Sequence, residues 1–181
     1  MPYDPIEQEI IDTLLRFSSV AIRNGYRNPD WTKGVKAIFG GIGYQRGYRT
    51  YFSDGAGREF NQIRQDIISN RVLNGTHIPD VLIGWLYDIL WWEENQYGAT
   101  DIPLVCESDW GNIESVKYDF QKLLLARSKY RIMIFECGRV AIQWCKSQIK
   151  QFKLTQSGDR YLFCSWEGNN AGFYFELYVH P

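Results

Sequence analysis

Apolar residues recur at helical spacing over residues 5 to 22, with Ile6, Ile10, Leu14 and Phe17 on one stripe and Ile11 and Leu15 beside it. Asp4 and Pro5 ahead of them suit an N-cap and a first helical position. The segment RNGYRNPD then reads as a loop. Asp30 is expected to cap a second helix from Trp31 to about Arg46, with Val35, Ile38, Phe39 and Ile42 inward. Gly40, Gly41 and Gly43 weaken that helix but would let its backbone lie close on a sheet.

After Gly47 the run YRTYF predicts a short strand closed by SDGAG, and a third helix is expected from about Arg58 to Val72. A long strand is predicted from roughly Val81 to Trp92. The turn-like ENQYGATD should join it as a hairpin to a strand from Ile102 to Asp109. A helix from Glu114 to Arg127 presents Val116, Phe120, Leu123 and Leu124 on one face and leads into the strand YRIMIFE from Tyr130. Strand, helix and strand with short links predict a right-handed crossover onto one sheet. A last helix, from about Arg139 to Phe152, precedes strands from Tyr161 to Trp166 and Phe173 to Val179, joined by EGNNAG.

These elements describe one α/β domain over residues 1–181, and no repeat, low-complexity tract or linker divides it. An apolar fraction of 45% and an aromatic fraction of 16% are enough to build a sizeable core. No apolar run approaches the roughly 20 residues needed to span a bilayer. MPYDPIEQEI carries no secretory pattern, so no membrane association and a cytoplasmic location are expected. Cys106, Cys137, Cys145 and Cys164 form no CxxC pair and the histidines are His77 and His180, which points to core thiols rather than a zinc site.

The net charge of −1 conceals a segregation. From Arg23 to Arg71 there are nine Lys/Arg against four Asp/Glu, whereas from Thr76 to Asp119 carboxylates face a single lysine, Lys117. A basic lobe beside an acidic centre suits an enzyme that grips phosphates on one surface and holds a cation on another; two ordinary solvated faces are the alternative.

Asp88 lies within WLYDILWW, where alternation places it with Leu86 and Leu90. An unpaired carboxylate among apolar side chains costs several kcal/mol, roughly, so it is normally paired, protonated or bound to a cation. In PLVCESDWG, Glu107 and Asp109 share a face, so three carboxylates are expected to converge at the end of the hairpin. No Lys or Arg lies in either strand, and a hard cation with oxygen ligands, Mg2+ first and Mn2+ second, is the natural partner. The alternative is neutralisation by Arg or Lys from elsewhere in the fold.

The order of elements and these residues together resemble the PD-(D/E)XK, or restriction-endonuclease-like, nuclease superfamily. The resemblance covers about residues 31 to 136. It implies a three-layer αβββαβ core, with a mixed sheet flanked by helices, to which the first helix and a C-terminal extension over about residues 137–181 are added. It further implies Mg2+ held by Asp88, Glu107 and the carbonyl of Ser108, with hydrolysis of phosphodiester bonds, DNA being the expected substrate. One departure is plain: the lysine expected two residues after the Glu is replaced by Asp109.

Some members carry that lysine on the following helix, where Lys122 in DFQKLLLA is the candidate, with Gln121 behind it. A helical wheel sets Lys122 roughly 140° from the centre of the apolar face, so solvation is the alternative, although Leu125 on its side hints at a second covered face. The implied catalytic set is therefore Asp88, Glu107, Asp109 and Lys122. Glu7 and Glu9 are read as ordinary helical carboxylates. Arg46, Arg49, Arg58 and Arg64 are the candidate phosphate contacts, because they flank the first core strand. Trp85, Trp91, Trp92 and Trp110 could stack on bases, but core packing is the commoner use of strand aromatics. A homodimer acting on two strands is compatible with the family. A superfamily member without catalysis that binds nucleic acid or a protein, and a scaffold whose acidic patch recruits a basic partner, are the rival readings.

Overall fold

A computed structural model describes residues 2–53, 58–75, 77–78 and 82–181. The chain runs α1 (Pro5–Arg23), α2 (Asn28–Gln45), β1 (Arg49–Phe52), α3 (Arg58–Ser69), β2 (Leu82–Ile83), β3 (Ile89–Asn95), β4 (Gly98–Asp109), α4 (Ile113–Leu125), β5 (Tyr130–Phe135), α5 (Gly138–Gln151), β6 (Arg160–Trp166) and β7 (Phe173–Val179). The strands form one mixed sheet of seven in the order β2-β1-β3-β4-β5-β6-β7. The pairs β4–β5 and β5–β6 are parallel, and β1–β3, β3–β4 and β6–β7 are antiparallel, so β1, β4, β5 and β6 all run the same way.

Helices cover both faces. On one, α2 lies against β1, β3 and β4, α1 packs on α2 and β7, and α3 sits on α2. Their apolar stripes meet Ile89, Trp91, Leu104, Cys106, Ile132, Ile134, Leu162 and Cys164 in a single core. On the other face, Val116, Phe120 and Leu123 of α4 and Ala141, Ile142, Cys145 and Ile149 of α5 bury Leu90, Val105, Met133, Phe135, Tyr161 and Phe163. The period-two alternation of the strands thus feeds two separate cores, which is why the central strands read as continuously apolar.

The first helix begins as its sequence predicts. The Asp4 carboxylate accepts from the Ile6 N–H (3.1 Å), and Glu7 accepts from the Asp4 N–H (2.7 Å). The second starts three residues earlier than predicted: Pro29 occupies its first turn, and Asp30, rather than capping, accepts from the Arg27 N–H at 3.1 Å.

Two strand predictions fail instructively. No strand runs from Val81 to Trp92. Gly84 adopts φ +119°, and Gly84–Asp88 swing the chain from one side of β1 to the other, so Leu82–Ile83 pair parallel with β1 while Ile89 onward pairs antiparallel with it. Leu86, placed by alternation with Asp88 and Leu90, is exposed. The hairpin does form, but with a two-residue loop, Gln96–Tyr97, between Asn95 and Gly98, and β4 therefore starts at Gly98 rather than Ile102. In the expected SDGAG closure only Ser53 lies among the described residues, and Val81 lies outside them. The C-terminal strands are full members of the sheet, with α5 crossing from β5 to its parallel neighbour β6.

Candidate active site

The carboxylates singled out by sequence sit at the carboxyl ends of β1 and β4, beside the start of β3. Asp88 is the residue before β3 and joins three strands. The Ser53 hydroxyl, just past β1, donates to its Oδ1 (2.9 Å), and the Ser108 N–H in β4 donates to its Oδ2 (3.0 Å). The chain reversal at Gly84 and the short β1 are what bring these groups together. From α2 below, the nearly buried Lys36 reaches the Ser53 Oγ at 3.3 Å.

Glu107 is fully buried on the α4 side of the sheet. The register that pairs Ile89 with Cys106 sets Asp88 and Glu107 opposite each other one step further along. The Glu107 Oε2 accepts from Lys122 Nζ at 2.9 Å, whereas its Oε1 is buried with no hydrogen-bond partner among the described residues. Lys122 is shared: it also meets Asp119 Oδ1 at 2.9 Å. Burial, and then the Asp88 charge, push the Glu107 carboxyl up to about 8 in spite of Lys122. Burial also raises Asp119. Burial would draw Lys122 down, yet its hydrogen bonds to Asp119 and Glu107 hold it above its ordinary value, so it stays cationic.

Lys122 reaches Glu107 because α4 is held close over β4. Asn112 caps this helix, its Oδ1 accepting from the Glu114 N–H (2.9 Å) and the Ser115 N–H (3.2 Å), and Val116, Phe120 and Leu123 anchor it. The lysine lies on the shoulder of the helix, and its four-carbon stem spans the remaining distance. No second covered face is involved, since Leu125 is exposed.

Asp109 does not join the other two. Its Oδ1 accepts from the Gly111 N–H at 2.6 Å, closing a turn as β4 ends. Among the described residues no three His, Cys, Asp or Glu side chains gather as a ligand set. Glu7 and Glu9 belong to structural pairs: Glu7, almost fully buried, takes two bonds from Arg160, and Glu9 meets Arg46.

Three of the four arginines expected to contact phosphate have partners of their own. Arg46 lies on Glu9 (2.5 Å), Arg49 on Glu94 (2.8 Å), and Arg64 donates to the Ile78 carbonyl. The side chain of Arg58, at the start of α3, lies outside the described part of the structure. The tryptophans divide. Trp91 is core and donates to the Phe39 carbonyl (3.0 Å), and Trp110 packs on Trp31. Trp85 and Trp92 meet each other and Tyr51 near the surface.

Sequence reading missed Ser53, Lys36 and Asp119. Asp119 was visible as an i, i+3 partner of Lys122, and Lys36 as a charge inside the apolar run VKAIF. Nothing in the sequence marked Ser53. Comparison of the chain with protein families, with curated proteins and with solved structures gave no match.

Proposed function

We propose that the chain is a metal-dependent nuclease of restriction-endonuclease-like type, acting on DNA, with Asp88, Glu107 and Lys122 at its centre. One observation carries the reading. A fully buried glutamate faces an aspartate across a strand pair, keeps one oxygen without a donor among the described residues, and takes its other contact from a lysine on the following helix. That lysine occupies the role left vacant by Asp109.

The residues fit a hard divalent cation. The Glu107 carboxyl, once it gives up its proton to the ion, and the Asp88 carboxylate are two oxygen donors, the Ser108 backbone is adjacent, and Mg2+ is commonly held by one or two carboxylates with water completing its shell. When bound, such an ion supplies Lewis-acid polarisation of the phosphodiester. Lys122 keeps its charge against Glu107 and Asp119 and offers N–H donors to a phosphoryl oxygen as negative charge develops there. Ser53, backed by Lys36, and the Ser108 N–H fix the Asp88 carboxylate in orientation.

A specific observation favours a second reading, a nuclease-like module without catalysis. Both Asp88 oxygens already receive donors from the chain, and Asp109 contributes no third ligand. Cleavage of single- and double-stranded DNA in Mg2+, Mn2+ or EDTA separates the two. Metal-dependent cutting abolished in Asp88→Ala and Glu107→Ala supports the nuclease; nucleic-acid binding with no cutting in any metal replaces it with the silent module.

A further inference from the structure

Among the described residues, the helix layer on the Glu107 face is incomplete. α4 packs on β4 and β5 and α5 on β6, while neither makes more than marginal contact with β1 or β3. That half of the face carries Tyr51 from β1, Trp92 from β3 and Trp85 from the reversal between β2 and β3. Tyr51 and Trp85 lie 5.9 Å apart between ring centroids, Tyr51 and Trp92 6.1 Å, and Trp85 and Trp92 4.9 Å. Trp85 is 37% exposed and Leu86 beside it 61%. Tyr51 and Trp92 are partly buried against the second core, while Trp85 and Leu86 carry the apolar surface out to solvent, as an interaction surface does.

The patch is continuous with the site. Tyr51 precedes Ser53 by two residues on the same side of β1, which is about 7 Å along a strand, and Ser53 holds Asp88. Tyr87 next to Asp88 bridges the two regions; burial and then the Glu107 charge raise its hydroxyl above its ordinary value. Arg49, a further two residues back on this side of β1, is largely exposed at the far end of the strip, against Glu94, which also accepts from Trp92 Nε1. The strip therefore runs from an exposed guanidinium, over three rings, to a lysine and two carboxylates.

We infer that Tyr51, Trp85 and Trp92 form a stacking platform for unpaired bases, which makes single-stranded nucleic acid the substrate that leads into the Asp88–Glu107 site. The inference rests on the nuclease reading for the chemistry but not for the binding. Rings on a flat face can stack only on bases freed from a duplex, because in a duplex the base faces are already occupied by their neighbours. Arg49, largely exposed although it also meets Glu94, gives the far end of the strip a guanidinium that a phosphate can reach.

The test has a binding arm and a chemical arm. Anisotropy of labelled oligothymidylate, oligouridylate and a duplex is measured on the wild type, Trp85→Ala and Trp85→Phe, each checked for native folding by circular dichroism. Hydrolysis of bis(p-nitrophenyl) phosphate, which has no base, is followed in Mn2+. The expected result is single strand bound more tightly than duplex, with affinity falling about tenfold in Trp85→Ala and restored in Trp85→Phe; the two single strands show whether DNA or RNA is preferred. Base-free hydrolysis by the wild type reports the chemical step alone. Equal binding of duplex and single strand, or no loss in Trp85→Ala, overturns the platform while leaving any cleavage intact. Absent hydrolysis with preserved, Trp85-dependent single-strand binding overturns the nuclease reading and leaves the platform standing.

Discussion

Lys122 reaches from α4 to the fully buried Glu107 of β4, Nζ to Oε2 at 2.9 Å, and the same ammonium is held by Asp119 three residues earlier in its own helix. One cation thus serves two carboxylates, and Glu107 is left with an oxygen that nothing among the described residues satisfies. A structural ion pair alone gains little from burying a second, unpartnered oxygen. A site that receives a ligand does.

Lys122→Met removes the ammonium while keeping most of its apolar stem. Breaking a buried pair costs about 3–5 kcal/mol, and because Lys122 retains part of its surface in water, about 2 kcal/mol is expected near pH 8, measured by urea unfolding. Near pH 5, where Glu107 is protonated, the cost should shrink. If Lys122 also assists hydrolysis, DNA cleavage falls by about a hundredfold or more even where the variant is fully folded.

Glu107 makes the stability of the metal-free protein depend on pH in a defined direction. Its carboxyl is held at about 8, above the ordinary 4.5, so between these values the native state binds more protons than the unfolded chain. Stability therefore falls as pH rises through this window, with a limiting slope of about 1.4 kcal/mol per pH unit from this group. In EDTA, the Tm of the wild type should decline from pH 5 to pH 8.5 more steeply than that of Glu107→Gln. Mg2+ should flatten the wild-type curve by competing with the proton, and an unchanged curve in saturating Mg2+ counts against cation binding at Glu107.

The helices and the last three strands were legible because their periodicity is strong and signals such as Asp4 and Pro5 ahead of α1 and the break before Tyr130 mark their ends. Asp88 and Glu107 could be chosen because a carboxylate in an apolar run demands compensation. The strand assigned to residues 81 to 92 failed because apolar content cannot reveal that Gly84 turns the chain around β1, and the error carried Asp88 from a strand interior to a strand entrance. Ser53 was out of reach for the same reason, and Lys36, visible as a charge, could not be given its partner: Ser53 meets Asp88 only through the pairing of β1 with β3, and Lys36 meets Ser53 only through the seating of α2 beneath it.

Ser53→Ala tests whether the shell around Asp88 is functional. The substitution removes the donor to Asp88 Oδ1 and the oxygen that meets Lys36, at a stability cost of about 1 kcal/mol for a partly exposed hydrogen bond. If Asp88 holds a cation, loosening its orientation should weaken Mn2+ affinity by about tenfold, read by calorimetric titration. A purely structural Asp88 would show the first effect without the second.

Gly43→Ala tests how α2 is seated. A methyl group at Gly43 would stand 2.6 Å from Thr50 Oγ1 and 2.7 Å from Trp91 Nε1, inside the contact of the helix with β1 and β3. Neither neighbour can yield cheaply, because Trp91 is fully buried and its indole N–H is committed to the Phe39 carbonyl. Although alanine is the better helix former by about 1 kcal/mol, the overpacking should outweigh it, for a net loss of about 1–2 kcal/mol. The displacement should also reach the site, because α2 carries Lys36 to Ser53 and β1 ends at Phe52, next to Ser53. Urea unfolding together with Mn2+ titration checks both parts: a destabilised variant with weakened Mn2+ binding is the expected pair of results, and unchanged stability would show that α2 is not held against the sheet at this distance.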